Sequence, residues 1–296
     1  MNVAPSPGVR GFLIHLTHYD PRWYKRKGRE KPFDSGVALE VVERLAAEGF
    51  NLLVIDIADA VHYRSHPELR RRYTVPMKRL VELAGAARKA GLEVVPKLNF
   101  ARSAIHTHNH WMRSAETGRD VGFDDEPYWR MAFELIDEAV AACRPERFFH
   151  VGMDEDHDRS YTQYVEAIGT LHAGLKERGL RTIIWNDSAS AYPAARIHRD
   201  KSLLAARKIP RDVVQVLWNY RAVPRTEVRR LGRQGFELWG APGRTDPEQM
   251  RGFRDAVLKA GGTGLLMTMW IPTRKGNRRA LLDAISRMGP IYRGEE

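Results

Sequence analysis

Gly49-Phe50-Asn51-Leu52-Leu53-Val54-Ile55-Asp56-Ile57-Ala58-Asp59 is the stretch that decides the fold. It follows Val37 to Glu48, where apolar residues recur at three- and four-residue spacing, as in a helix packed on a sheet. Gly49 stands where such a helix would close in a left-handed cap. The apolar run behind it suits a strand covered on both faces, and it ends in carboxylates. Working outward, the same unit recurs. Strands are expected at Gly11 to Thr17, Asn51 to Ile57, Glu93 to Asn99, Arg147 to Met153, Thr182 to Trp185, Val213 to Trp218, Phe236 to Gly240 and Gly264 to Trp270. Amphipathic segments lie between them, among them Met77 to Ala90, Tyr128 to Ala142 and Tyr161 to Arg178, and Gly91 and Gly179 repeat the glycine stop. Eight alternations predict an α/β fold, a single (β/α)8 TIM barrel over residues 1–296.

The bulk numbers agree with one domain. The chain has 296 residues, 43% of them hydrophobic and 29% charged, enough for the roughly 250 residues of a barrel. Met1 to Arg10 contains no apolar run flanked by basic residues, and no stretch approaches the roughly 20 apolar residues of a membrane span. Cys143 is the single cysteine, which excludes an intrachain disulfide and a cysteine metal cluster. A cytoplasmic protein without membrane contact is the expectation. The net charge of +11 raises nucleic acid as a partner. Its distribution argues against that: Arg70-Arg71-Arg72, Arg229-Arg230 and Arg278-Arg279 are scattered over turns and helix faces, without interleaved aromatics. Basic charge would also suit an anionic glycan. Oligomeric state is not legible.

Active sites of such barrels lie at the C-terminal ends of the strands. The predicted ends are rich in carboxylates, histidines and tryptophans, groups that protonate glycosidic oxygens, bind hydroxyls and stack on sugar rings. The fourth is the most informative: Phe148-Phe149-His150-Val151-Gly152-Met153-Asp154-Glu155, an apolar strand running into two adjacent carboxylates. Such a pair fits acid chemistry, because a neighbouring negative charge helps a glutamic acid keep its proton near neutral pH. Read alone, Asp154-Glu155-Asp156 would equally suit the N-terminus of a helix.

This segment resembles the His-x-Gly-x-Asp-Glu signature of family 20 glycoside hydrolases, the β-N-acetylhexosaminidases. The resemblance implies that Glu155 is the general acid and that Asp154 holds the substrate's 2-acetamido group, whose carbonyl oxygen attacks the anomeric carbon. It implies further substrate-binding positions. Arg10, in Arg10-Gly11-Phe12-Leu13-Ile14, is similar to the family's opening arginine, which clamps sugar hydroxyls. Asp59 is similar to the aspartate ending the second strand, with His62-Tyr63-Arg64-Ser65, Tyr73-Thr74 and Gly91-Leu92-Glu93-Val94-Val95-Pro96 matching nearby elements. Trp185-Asn186-Asp187, Leu217-Trp218-Asn219-Tyr220 and Met269-Trp270 are similar to the tryptophan-bearing strand ends that wall the sugar pocket. Trp185, Trp218 and Trp270 are then wall residues, Tyr220 a donor to the acetamido oxygen, and His150 and Asp187 polar groups of the pocket. No cofactor and no metal are implied.

The chain also departs from the family. After Pro96, where acidic residues and a Pro-Gly-His turn are usual, it has Lys97-Leu98-Asn99-Phe100-Ala101-Arg102-Ser103; Ala241-Pro242 runs into Gly243, and Ile271-Pro272 replaces an expected glutamate. A minimal member without an accessory domain is expected, with an altered preference for sugar. Two other readings remain at this level. His106, His108 and His110, or His15 and His18, could bind the metal of a barrel hydrolase. A non-catalytic glycan-binding barrel would need no adjacent acids.

Overall fold

In the computed structural model, residues 6–17, 30–104, 107–113, 122, 124–190, 196–243 and 246–295 are described, the side chains of 107–109 excepted. Eight parallel strands close on themselves in sequence order: β1 Val9–His15, β2 Leu52–Asp56, β3 Glu93–Lys97, β4 Phe148–His150, β5 Arg181–Asn186, β6 Val214–Asn219, β7 Leu238–Pro242 and β8 Gly264–Pro272. Eight α-helices among the described residues wrap the outside: α1 Ser35–Ala47, α2 Lys78–Lys89, α3 Glu126–Cys143, α4 Tyr161–Glu177, α5 Arg196–Ala205, α6 Arg225–Arg233, α7 Pro247–Lys259 and α8 Arg278–Arg293. The predicted (β/α)8 barrel is therefore the fold. None of these helices is long and apolar enough to cross a membrane.

Local chemistry sets the boundaries. Side chains of Asp34, Asp125 and Asp246 accept hydrogen bonds from the first turns of α1, α3 and α7, and Ser160 closes a capping box with Gln163 on α4. Each such cap contributes about 1 kcal/mol. Gly49, Gly91 and Gly179 adopt φ of +74°, +80° and +70°, the left-handed stops read from the sequence.

Strands alternate their faces, and the alternation sorts the core into two parts. Phe12, Ile14, Leu53 and Ile55 point outward to the helices, whereas Val9, Leu13, Leu52, Val54 and Val95 fill the interior with Phe148, Ile183, Trp185 and Trp239. The same parity, carried to the C-terminal ends, brings His15, Asp56, Lys97 and His150 into one layer, where they are consecutive partners in register across β1 to β4. Several strand boundaries differ from expectation, and those of β1 and β4 bear on the site. β1 begins and ends two residues earlier than the hydrophobic run suggested, because its first apolar contact is the inward Val9. β4 stops at His150, since Gly152 and Met153 take φ of +74° and +73° and turn the chain out of the sheet.

Candidate active site

The turn after β4 is held from three sides. Asn99, two residues beyond β3, accepts the Met153 N–H at 3.2 Å and the Ala101 N–H at 3.0 Å, and donates through Nδ2 to Asp154 at 2.8 Å. Tyr164 on α4 donates its hydroxyl to the Met153 carbonyl at 3.0 Å. Beyond β5, Asp187 accepts the Glu155 N–H at 2.8 Å and the Trp218 indole N–H at 2.7 Å. These bonds hold an unusual backbone. Met153 and Glu155 both have positive φ, a geometry costing roughly 1–3 kcal/mol each and found where a site over-determines it. Gly152 alone fits its place, because a Cβ there would lie 2.2 Å from the Asn99 Oδ1.

The neighbouring Asp156 has a different task. It is buried and paired with Arg159 at 2.8 Å and Lys201 at 3.1 Å, and it accepts the Arg102 N–H at 2.8 Å, so it ties down the loop. The helix-terminus reading of the three acids fails: α4 begins at Tyr161, capped by Ser160.

Burial first, and the Asp154 carboxylate second, push the Glu155 carboxyl up to about 8, so it carries a proton at neutral pH. Asp154 is also pushed up by burial, but the Lys97 ammonium and the Asn99 amide oppose the push. Asp187 is driven up by burial and by Asp154, against its two N–H donors. The adjacent acids therefore differ in environment: Asp154 faces a cation and an amide donor, while Glu155 faces mainly burial and a like charge.

Aromatic rings flank the carboxylates. Trp218 and Tyr220 lie 5.4 Å apart between centroids, and Tyr220 accepts the Trp270 indole N–H at 2.9 Å and the Thr268 hydroxyl at 3.3 Å. Both of these bonds end on its oxygen, which leaves the phenolic proton to donate elsewhere; burial keeps that proton on. Trp270 is 6.1 Å from Trp185, which is 4.8 Å from His150. Trp185 is fully buried within the barrel core, so it backs the pocket from below rather than offering a face. His150 is buried as well, accepts the Gly152 N–H on Nδ1 at 3.0 Å, and is kept neutral by burial and by Lys97.

The expected residues thus fall into two sets. Asp154, Glu155, Asp187, Trp218, Tyr220 and Trp270 come together, with His150 and Trp185 beneath them. Asp59 lies in the loop after β2, where it accepts the Tyr73 hydroxyl at 2.7 Å and pairs with Arg71 at 3.6 Å, a turn-stabilising role. Arg10 is a correction. It is the second residue of β1, at the opposite end of the barrel, and its guanidinium is bound to the carbonyls of Gly49 and Pro7. It shares the outward parity of Phe12 and Ile14, so it does not point toward the sugar pocket. Asn99 is the residue that sequence reasoning missed. Its signal was present: it follows the third strand at the inward parity of Val95 and Lys97.

For the metal reading, His18 and His106 lie outside the described residues, as does the side chain of His108. His110 bonds the Ser103 carbonyl and Arg113, and His15 pairs with Asp56 at 3.1 Å. Among the described residues no cluster of histidine, cysteine or carboxylates is arranged to hold a metal ion.

No family model matches the chain. It is 25% identical over 178 residues to a β-N-acetylhexosaminidase of Cellulomonas fimi, covering 51% of this chain and 36% of that protein. Among solved structures, the family 20 β-N-acetylhexosaminidase of Streptomyces coelicolor matches 99% of this chain and 65% of its own, with a TM-score of 0.68 at 13% identity. The N-acetyl-β-hexosaminidase of Streptomyces plicatus, solved with thio-NAglucal, gives 0.65 at 15% identity over 97% of this chain and 64% of its own. Dispersin B gives 0.59 at 12% identity over 97% of this chain and 98% of its own. The chain spans about a third of the curated relative and about half of some of the solved ones. The fold is that of the family 20 barrels.

Proposed function

We propose that this barrel is a retaining exo-glycosidase that removes a terminal β-linked N-acetylhexosamine, or a closely related sugar, by substrate assistance. Glu155 donates its proton to the glycosidic oxygen. Asp154 orients the 2-acetamido group, whose oxygen attacks the anomeric carbon, and then stabilises the positive charge of the cyclised intermediate. Tyr220 donates its hydroxyl hydrogen toward the acetamido oxygen, while Trp218 and Trp270 offer faces to the pyranose. The reading rests on one observation above all: two adjacent carboxyl groups in the turn after β4, Asp154 holding an amide donor at 2.8 Å and Glu155 beside it, where burial and the like charge push its carboxyl up to about 8. The likeness to named hexosaminidases supports it. The net charge of +11 favours a glycan that carries negative charge.

Matched aryl glycosides bearing a 2-acetamido or a 2-hydroxyl group test the mechanism. The 2-acetamido sugar should be cleaved much faster, since an intramolecular nucleophile held in place contributes an effective molarity of about 10⁵ to 10⁸ M. Equal or faster cleavage of the 2-hydroxyl sugar would sink substrate assistance and make Asp187 the first candidate nucleophile.

A further inference from the structure

Beneath the carboxylate pair lies a second charged group with no place in the chemistry just described. Lys97 Nζ is 2.7 Å from Asp56 Oδ2, and His15 Nδ1 is 3.1 Å from the same oxygen. All three side chains are buried, and Lys97 and Asp56 are fully so. Buried ammonium groups are expensive, with an effective penalty of several kcal/mol per ion, and a pair only partly repays it. The position is also unusual for this kind of barrel, since the family resemblance predicts acidic residues after Pro96. Two residues further along the same inward face stands Asn99, bonded to Asp154.

We propose that the end of β3 sets the charge state of the carboxylate pair: Lys97 supplies the buried cation and Asn99 the hydrogen bond that hold Asp154 as an anion, so that the transferable proton resides on Glu155. The proposal rests on the glycosidase reading and assigns two positioning residues to it. Among the described residues, Asp154 is faced by Lys97 at the end of β3, Asn99 two residues beyond it, Asp56 from β2, Glu155 in the same turn, Asp187 beyond β5, Tyr164 from α4 and Tyr220 beyond β6, while the His150 ring accepts the Gly152 N–H of that turn. Lys97 is the cation in that set. Against it stand three carboxylates, and burial favours the protonated form of Asp154. An aspartic acid at this position would lose the negative charge that the cyclised intermediate needs. Its proton would also end the division of labour with Glu155.

The test is the pH profile of kcat/KM on an aryl N-acetylhexosaminide for wild type, Lys97→Met and Asn99→Asp, together with ¹³C NMR titration of the Asp154 carboxyl in the same proteins. Removing the cation, or adding a like charge in place of the amide donor, should move the acidic limb and the Asp154 titration upward by about one pH unit or more. The alkaline limb, set by Glu155, should stay where it is. A purely structural role would lower activity at every pH without moving the acidic limb. If both variants fold and neither limb nor carboxyl titration moves, the proposal is overturned; if Lys97→Met does not fold, Asn99→Asp decides alone. A wild type that cleaves none of the sugars would overturn the glycosidase reading, and the carboxyl titration would still decide the charge state of Asp154.

Discussion

The two ends of the barrel bury different things. At the N-terminal end, Val9, Phe148 and Trp239 close the interior with apolar surface, and the charges stay at the rim, where Arg147 pairs with Glu93 and Arg181 with Glu237 in partly exposed bridges. At the C-terminal end, Lys97 and Asp56 are fully buried, Asp154 and Asp187 nearly so, and Met153 and Glu155 hold strained backbone. Exposed pairs contribute about 0–1 kcal/mol, while buried ions and left-handed non-glycine residues are unfavourable on their own account. One end is built for stability. The other carries arrangements that stability does not explain, as sites of chemistry do.

The largest effect that bears on this contrast is expected from Glu155→Gln. The amide keeps the size and the hydrogen bonding of the acid but has no proton to transfer, so turnover of substrates with poor leaving groups should fall by about 10² to 10⁴. Activated aryl leaving groups need little protonation and should lose far less. Equal loss on both kinds of substrate would remove Glu155 from the acid role and leave the C-terminal end without its chemistry.

Gly152→Ala comes next, and it acts through the backbone. The new Cβ would meet the Asn99 Oδ1 at 2.2 Å and its Cα at 2.7 Å, at a φ of +74°. Strain and overpacking together should destabilise the protein by about 2–6 kcal/mol, read from the denaturation midpoint. Any folded protein that remains should have Asp154 displaced and kcat/KM reduced. Full stability would mean that the turn is not clamped as described.

A smaller effect ties stability to the raised acid. Glu155 titrates near 8 in the folded chain against an ordinary 4.5, so its protonated form favours folding fully below pH 4.5, and that contribution is lost as pH rises through 8. Glutamine has no such loss. Thermal unfolding of Glu155→Gln should match wild type near pH 4 and exceed it by roughly 1–3 kcal/mol near pH 8.5, with allowance for the partial exposure of the group. Parallel curves at all pH values would mean that the carboxyl is not raised.

The sequence makes the barrel legible because each αβ unit carries its own signals, a 3.6-residue apolar stripe, a glycine stop and a buried run, and none of these depends on distant partners. The candidate site is legible where chemistry or strand parity marks it, as at the adjacent acids Asp154 and Glu155 and at Trp218 and Tyr220 on the inward parity of β6. It is misread where resemblance to a motif outruns geometry. Resemblance alone assigns Arg10 to the pocket, whereas it stands at the start of the first strand, at the end of the barrel away from the carboxylates, and its outward parity sends it to the Gly49 carbonyl. Asn99 was overlooked for a related reason: an amide carries no charge to attract notice, and its value lies in contacts with Met153 and Asp154, which are 54 and 55 residues away in sequence.

The smallest expected effect is the control that the comparison needs. Arg147 immediately precedes β4, and the turn that follows this strand carries Asp154 and Glu155, so one strand links the two ends of the barrel. Its guanidinium donates to Glu93 and lies 4.7 Å from the centre of the Phe148 ring, but the side chain is more than half exposed. Water and salt already screen such a pair, and holding a long side chain in one geometry offsets much of its Coulomb gain. Arg147→Ala should therefore destabilise by about 0–1 kcal/mol, and added salt should shrink the difference further. Because the interior between the two ends is filled with close-packed apolar side chains among the described residues, kcat/KM and both limbs of the pH profile should be those of the wild type. A fall in activity approaching that of Glu155→Gln, in a protein that unfolds at the wild-type midpoint, would mean that charge at the N-terminal rim is felt at the carboxylates, and the separation of the two ends would be wrong.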